Sequence, residues 1–435
     1  MSSRTLVVIT AGAPQPHFSP LSATHDRAAT SFAGAYRIID FALSNCLNSG
    51  LRRILVLTPS HARDLRDHLG ANWGQLNTSA SEFLLTLSPE EIAGAVESAE
   101  QGDGAALCHS LSYIASVAPD LVLVLAANQI YALDYGALVD FHLSKGAGAT
   151  VAAFPVAADE VQRYHILEVN AQARVISLEE RPASFMPLDA SIPPLACMGV
   201  YLFTHDVLRG ILLEASADAG GSRSLAGDFL PALVWNEQFY AYRVPRAERP
   251  FFWREISTVD DYWAASMELL TNPAAFDPTD PAWPMRAAAR QASMPPALVR
   301  HFRPTSAAPA GVEQSIVADD CRGSGAQVLK SVLSPGVRLG ANSSLVESVL
   351  LEETAVGENC RLSRVILDRG VAIPADTEIG LNPEEDRRWF HVTPNGIVVV
   401  TAESIERYER GRLRPTKVAA RDGTNHNPSD AHAVP

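Results

Sequence analysis

Between Leu333 and Ile379 aliphatic side chains return every six residues, and few folds accept that spacing. Leu333, Leu339, Leu345 and Leu351 are six apart, as are Val356 and Leu362, and then Leu367, Ile373 and Ile379. Gly336, Gly340, Gly357, Gly370 and Gly380 fall between them. A six-residue aliphatic period is the signature of a parallel β-helix, in which each short strand stacks its aliphatic side chain on the coil beneath. The period predicts several coils from about Pro304 to Gly380. Hexapeptide acyltransferases need a catalytic histidine on such coils. No histidine occurs between His301 and His391, which argues against that activity.

The chain upstream has a different rhythm. Leu6–Thr10, Arg53–Thr58, Leu121–Ala126 and Thr150–Val156 are short aliphatic runs that predict strands. Ile39–Leu47 and Tyr135–Ser144 carry apolar residues at helical spacing, with Gly50 and Gly146 where helix-ending glycines belong. Strands alternating with helices imply a doubly wound, mostly parallel α/β sheet. Ligands of such sheets bind beyond the carboxyl ends of the strands, where Ala11–Pro20 and Ala127–Tyr131 lie.

These rhythms divide the 435 residues into an α/β domain over 1–272, a Pro/Ala-rich connector over 273–303, a β-helix domain over 304–414, and a disordered tail over 415–435. With 47% hydrophobic and 19% charged residues the composition is that of a globular protein. A net charge of −14 argues against nucleic acid or an anionic membrane as partner. Apolar runs such as Leu121–Ala127 are far below the roughly 18 residues of a membrane span. Leu6–Ile9 is too short for a signal-peptide core and reads as a first strand. Cys46, Cys108, Cys197, Cys321 and Cys360 are widely spaced, which predicts buried free thiols in a reducing cytoplasm.

Residues 34–50, Gly-Ala-Tyr-Arg-Ile-Ile-Asp-Phe-Ala-Leu-Ser-Asn-Cys-Leu-Asn-Ser-Gly, closely resemble the segment after the nucleotide loop of glucose-1-phosphate adenylyltransferases (ADP-glucose pyrophosphorylases). The resemblance continues through Phe252-Trp253-Arg254-Glu255 and Tyr262-Trp263 to Ile397–Thr401. It implies a nucleotidyltransferase-like, Rossmann-like domain followed by a left-handed parallel β-helix. It also implies a role in glycogen synthesis, with Mg²⁺ as cofactor if the chain is active. The partners it implies are a sugar phosphate, a nucleotide and a phosphorylated effector. The assembly is a homotetramer or a heterotetramer with a catalytic paralogue.

Nucleotidyl transfer needs a glycine-rich turn for the triphosphate, carboxylates for Mg²⁺ and a cationic pocket for the sugar phosphate. Each family motif is altered. The loop A-G-G-x-G-T-R-L-x-P-L is here Ala11-Gly12-Ala13-Pro14-Gln15-Pro16-His17-Phe18-Ser19-Pro20-Leu21. Pro14 and Pro16 lack an N–H, and His17 replaces the phosphate-facing arginine. The lysine of R-A-K-P falls on Ala29, leaving the loop without its cation. Gly102 opens the segment matching G-T-A-D-A. The metal aspartates of A-G-D-H-I-Y and W-R-D-V-G-T become Asn128 and Glu255. In F-V-E-K-P, Glu180 matches the residue on the glucose hydroxyls and Arg181 replaces the phosphate-binding lysine. His165 stands for the glycine of F-G-V-M, and Cys197 for the serine of A-S-M-G-I-Y. Arg369 matches an arginine of the effector region, whereas Asp26, Ala402 and Glu406 replace basic effector residues.

Scaffold motifs kept and phosphate chemistry altered point to a catalytically impaired regulatory subunit. The alternative is an active adenylyltransferase with a rearranged site built on Glu255, Arg181 and Arg254.

Overall fold

Thr5–Thr10 (β1) is an aliphatic and β-branched run with every residue buried, as a strand covered on both faces must be. It lies centrally in a nine-stranded mixed sheet of a computed structural model. The structure describes residues 4–11, 18–21, 26–59, 62–77, 82–88, 91, 102–157, 160–183, 193–216, 224–235, 238–245, 251–286, 311–323 and 325–412. The other strands are β2 (Arg53–Leu57), β3 (Phe83–Leu87), β4 (Leu121–Ala126), β5 (Ala149–Pro155), β6 (His165–Val169), β7 (Val175–Glu180), β8 (Leu195–Thr204) and β9 (Phe239–Arg243). Their order is β7-β6-β8-β4-β1-β2-β3, with β5 pairing both β8 and β9. The segment β4-β1-β2-β3 is wholly parallel, while β8 runs antiparallel to β4 and β5.

Helices α1 (Ile38–Asn48), α2 (Arg63–Trp73), α3 (Asp103–Val117) and α4 (Tyr135–Lys145) run between these strands, and α5 (Val259–Thr271) comes after them. In α1 Asp40 accepts the Arg37 N–H at 2.7 Å, which starts the helix. Buried residues run unbroken from Ile38 to Leu47, so α1 has no solvent face. Helix α4 ends at Gly146, whose positive φ of 58° closes the last turn. The segment after α5 docks back on α1: Trp283 Nε1 donates to Asn45 Oδ1 at 2.8 Å, and the Arg286 N–H donates to Ser44 Oγ at 2.9 Å.

From Gly311 the chain forms three ribbons of very short parallel strands, the faces of a hexapeptide β-helix. One ribbon stacks Leu333, Leu350 and Leu367, the second Leu339, Val356 and Ile373, the third Leu345, Leu362 and Ile379. These residues are fully or nearly fully buried. Each of these coils is 17 residues long, one short of three hexapeptides, as the pairing of Leu333 with Leu350 shows. That missing residue corrects one expectation. The inward position is Leu350, not Leu351, and Leu351 faces the other way.

Leu351 belongs to a core shared by the two halves. Phe32, Phe41, Tyr262 and Ile256 pack there with Ile316, Val332, Val349, Ile366 and Val399. Polar contacts reinforce the junction. Trp263 Nε1 donates to the Glu347 carbonyl at 2.8 Å, and the Arg364 guanidinium sits 4.7 Å from the Trp263 ring centroid. The sheet and the β-helix are therefore joined by a continuous apolar interface. The tail predicted over 415–435 and the coil start near Pro304 lie outside the described residues.

Candidate active site

Strands β1 and β4 lie side by side and in parallel, so Ala11 and Ala127 leave the sheet together; the Ala127 N–H donates to the Thr10 carbonyl at 3.0 Å. Gly12, Ala13, Pro14, Pro16 and His17 lie outside the described residues. Beyond β4 the chain turns at Asn128 into a short strand, Gln129–Tyr131, paired antiparallel with Trp253–Glu255. That ladder places Glu255 opposite Gln129, and the Ile256 N–H donates to the Asn128 carbonyl at 2.8 Å. The two predicted metal positions, 127 residues apart in sequence, thus meet. Asn128 Nδ2 donates to Glu255 Oε1 at 3.3 Å.

Glu255 acts electrostatically on Arg27, which stands at the arginine of the R-A-K-P segment. Arg27 opens a one-turn 3₁₀ helix, Arg27–Ala29, capped by Asp26, whose Oδ1 accepts the Ala28 N–H at 2.8 Å. Arg27 Nε and Nη1 are closed off from solvent and have no hydrogen-bond partner. Burial lowers the pKa of the guanidinium, and the charge of Glu255 opposes that more than any other group does. Ala29 is packed in the core and carries no charge, whereas Arg27, two residues earlier, is a buried cation. Its sequence signal was isolation: it is the only lysine or arginine between Arg4 and Arg37.

The second predicted subsite forms at the open end of β6 and β7. His165 and Glu180 are cross-strand partners, with Nε2 and Oε1 4.0 Å apart. His165 Nδ1 is buried without a partner, and burial lowers the His165 pKa against the opposing pull of Glu180 and Glu255. Asp103 and Arg181 also act on this ring, so one imidazole is coupled to both subsites. Gly102 precedes α3, and Asp103 Oδ1 accepts N–H groups from Gly104 and Leu225, each at 2.9 Å. Arg181 follows β7 with a positive φ of 41° and an exposed side chain, which leaves its guanidinium open to a ligand. Cys197 is buried, its Sγ 3.2 Å from the Tyr201 hydroxyl, and burial pushes the thiol up to about 11. It is a packing thiol rather than a nucleophile.

One further expectation changes. Arg254 was a candidate for the rearranged site, but Glu268 of α5 holds it through Nε at 2.6 Å and again through Nη2. It lies over the Phe252 ring and turns toward α5. Arg369, the expected effector residue, lies among carboxylates. It stands 3.5 Å from Asp64 and 3.6 Å from Glu352, far along the chain from both.

Residues 6–272 match a nucleotidyl transferase family model, and residues 295–400 match a GlmU-like C-terminal hexapeptide model. A glucose-1-phosphate adenylyltransferase of Yersinia pseudotuberculosis serotype O:1b is 35% identical over 416 residues, 94% of this chain and 96% of its own. The chain belongs to the glucose-1-phosphate adenylyltransferase family. Glucose-1-phosphate adenylyltransferase 2 of Vibrio cholerae serotype O1 is 36% identical over 406 residues, 91% of this chain and 97% of its own. The enzyme of that family from Albidiferax ferrireducens is 35% identical over 410 residues, again spanning both halves.

The resemblance to this family implied Mg²⁺, so the donor set can be tested for fit. Mg²⁺ asks for oxygen ligands in near-ideal octahedral geometry, commonly one or two carboxylates plus substrate phosphates. Here a single carboxylate, Glu255, is approached by an amide N–H from Asn128. Among the described residues no group of three or more His, Cys, Asp or Glu side chains could hold a metal ion. These residues do not fit a resident Mg²⁺. Among them, too, no helix is long and apolar enough to cross a membrane.

Proposed function

We propose that the chain is an adenylyltransferase with a rearranged site, forming ADP-glucose from ATP and glucose 1-phosphate at a reduced rate. The observation that carries this reading is the buried Arg27 guanidinium, whose Nε and Nη1 have no partner and whose neighbours Ala28 and Ala29 pack in the same core as Ala11 and Ala127, at the end of the sheet where a triphosphate would lie. A phosphate oxygen of glucose 1-phosphate attacks the α-phosphorus. The new P–O bond forms in line as the bond to the β-phosphate oxygen breaks, and pyrophosphate leaves. Arg27 offsets charge on the triphosphate, Arg181 grips the sugar phosphate, and Glu180 accepts from glucose hydroxyls. His165, between them, offers its free Nδ1 to the incoming ligand.

A second reading rests on one observation, the hydrogen bond from Asn128 to Glu255. It puts an N–H donor where phosphoryl-transfer sites keep a metal-binding oxygen. In that reading the chain is a regulatory subunit that assembles, as a tetramer, with an active copy and tunes it.

Labelled ADP-glucose formation by the purified chain separates the two. Slow product formation, below about 1 s⁻¹ at the low end of ordinary turnover, that disappears in Arg27→Gln supports the adenylyltransferase. No product above the uncatalysed background sinks it. The regulatory reading then requires co-purification with an active homologue and a changed activity of that homologue.

A further inference from the structure

Glu352 and Arg369 each lie two residues beyond a paired strand position, Leu350 and Leu367, so they occupy equivalent corners of successive coils. The Gly370 N–H donates to the Glu352 carbonyl at 2.9 Å, and Arg369 Nε stands 3.6 Å from Glu352 Oε2. The other carboxylate oxygen is held from the α/β half. Arg37 Nη2 lies 2.7 Å from Oε1, and the Ser31 hydroxyl donates to the same atom. Arg37 Nη1 donates to Ser31 Oγ at 2.8 Å, and the Tyr262 hydroxyl donates to the Ser31 carbonyl at 2.6 Å, which fixes both donors. Asp64, 3.5 Å from Arg369, is a second carboxylate at the cluster.

Two guanidinium groups and a hydroxyl converging on one carboxylate form an oxyanion receptor. Guanidinium donors fit the oxygens of phosphate as well as those of a carboxylate. The occupant here is covalently part of the chain. A side chain carried on a paired coil is a ligand at high effective concentration, and a free anion must displace it against that advantage. Without the occupant, two partly buried cations from different halves would face each other with only Asp64 left among the three carboxylate oxygens that now pair them.

We propose that Arg37, Arg369 and Ser31 form an oxyanion site at the junction of the two halves, which the chain fills with its own Glu352, so that free phosphate-bearing ligands are shut out of it. Glu352 is thus an internal ligand that keeps the junction in one arrangement whatever phosphorylated solutes surround it. The effect reaches the sheet end, because Arg37 Nη1 also donates to the Ala29 carbonyl at 2.8 Å. The inference does not rest on adenylyl transfer.

Equilibrium dialysis of the full chain against radiolabelled inorganic phosphate, at constant ionic strength, tests it. Wild type, Glu352→Ala and the double variant Glu352→Ala/Arg369→Met are compared, so that phosphate bound elsewhere counts equally in all three. Glu352→Ala should bind one more phosphate per chain than wild type, and the double variant should lose it. Phosphate should also raise the unfolding temperature of Glu352→Ala by about 2 °C more than that of wild type. Glu352→Gln, which keeps the shape and an oxygen for Arg37, should gain less than the alanine variant. Equal phosphate binding by wild type and Glu352→Ala overturns the proposal, as does extra binding that survives Arg369→Met. So does phosphate bound by wild type but lost in Arg369→Met alone, since Glu352 would then not hold the site. If Glu352→Ala does not fold, Glu352→Gln decides: stabilisation by phosphate no greater than by chloride at equal ionic strength overturns the proposal.

Discussion

Arg37 Nη2 stands 2.7 Å from Glu352 Oε1, joining the residue that opens α1 to a turn of the β-helix. The pair is mostly buried, with 21% and 15% of the two side chains exposed. Burial would raise the Glu352 pKa, but Arg37, the Ser31 hydroxyl and Arg369 outweigh it and hold the carboxyl below its usual value. Arg37 also donates to the Ala29 carbonyl at 2.8 Å, so the clasp reaches the turn that carries Arg27. The region expected to receive an anionic effector thus has a carboxylate of the chain itself between Arg37 and Arg369.

A double-mutant cycle with Arg37→Met and Glu352→Gln should therefore show a coupling of about 1–3 kcal/mol in denaturant unfolding. Each single change strands a partly buried charge, and the double change removes both. Additivity within about 0.5 kcal/mol would show that the clasp adds nothing to stability.

The 17-residue coil makes a second prediction, at two adjacent leucines. Leu350 is inside the β-helix and Leu351 is in the core between the halves. Alanine at either should cost about 2–5 kcal/mol, the range for a truncated buried leucine. They should differ in their partners. Leu351→Ala combined with Trp263→Ala should be non-additive because both loosen the junction, and Leu350→Ala with Trp263→Ala should be nearly additive.

His142 gives the chain a pH dependence of known sign. It is 1% exposed, its Nδ1 lies 2.8 Å from Thr150 Oγ1, and burial lowers its pKa from 6.5 to about 4. The unfolded chain takes up this proton below its ordinary pKa, while the folded chain refuses it down to about 4. The stability this contributes is complete above the unfolded pKa and is lost as pH falls toward the folded one. The loss is about 2–4 kcal/mol for one such group. Comparing unfolding free energies of wild type and His142→Gln across that window should show the variant flatter by about one proton. Parallel slopes would mean that His142 is protonated in the folded chain.

Strand and helix positions were legible because the apolar runs end abruptly: Leu121–Ala126 was bounded to the residue, and α1 is only one residue longer at each end than Ile39–Leu47. The β-helix was legible from its period, but its coil length was not, because a shortened repeat looks like a change of phase until the coils are stacked. Ser331 and Ser348 carried that spacing unread, with Ser315 one residue closer; each hydroxyl accepts a backbone N–H from the next coil at 3.0–3.2 Å. At the site, motif positions far apart in sequence come together in pairs, Asn128 with Glu255 and His165 with Glu180. The charges were harder, since tertiary partners decide where a guanidinium points. Arg254 turns to Glu268 one helix away, and Arg27 turns inward from a turn whose neighbours are alanines.

Gly199 ties the strand scaffold to the site, and its replacement should be costly. It lies in β8 at a positive φ of 70°, where the pairing with β5 shifts register between Cys197 and Tyr201. A Cβ there would stand 2.3 Å from Gln129 Nε2. Gln129 is the residue after Asn128 and the strand partner of Glu255, and it is 3% exposed, so it has little room to retreat. Gly199→Ala should thus carry the left-handed backbone penalty of about 1–2 kcal/mol plus a packing cost of about 1–3 kcal/mol. Gly146→Ala is the control, since its φ is also positive but nothing lies within 4 Å of the added atom. The excess loss of Gly199→Ala over Gly146→Ala in chemical denaturation measures the clash with Gln129. The same variant should weaken ATP binding, because moving Gln129 moves the ladder that holds Asn128 against Glu255. Equal destabilisation by the two alanines, with ATP affinity unchanged, would show that Gln129 yields freely and that the site does not depend on this contact.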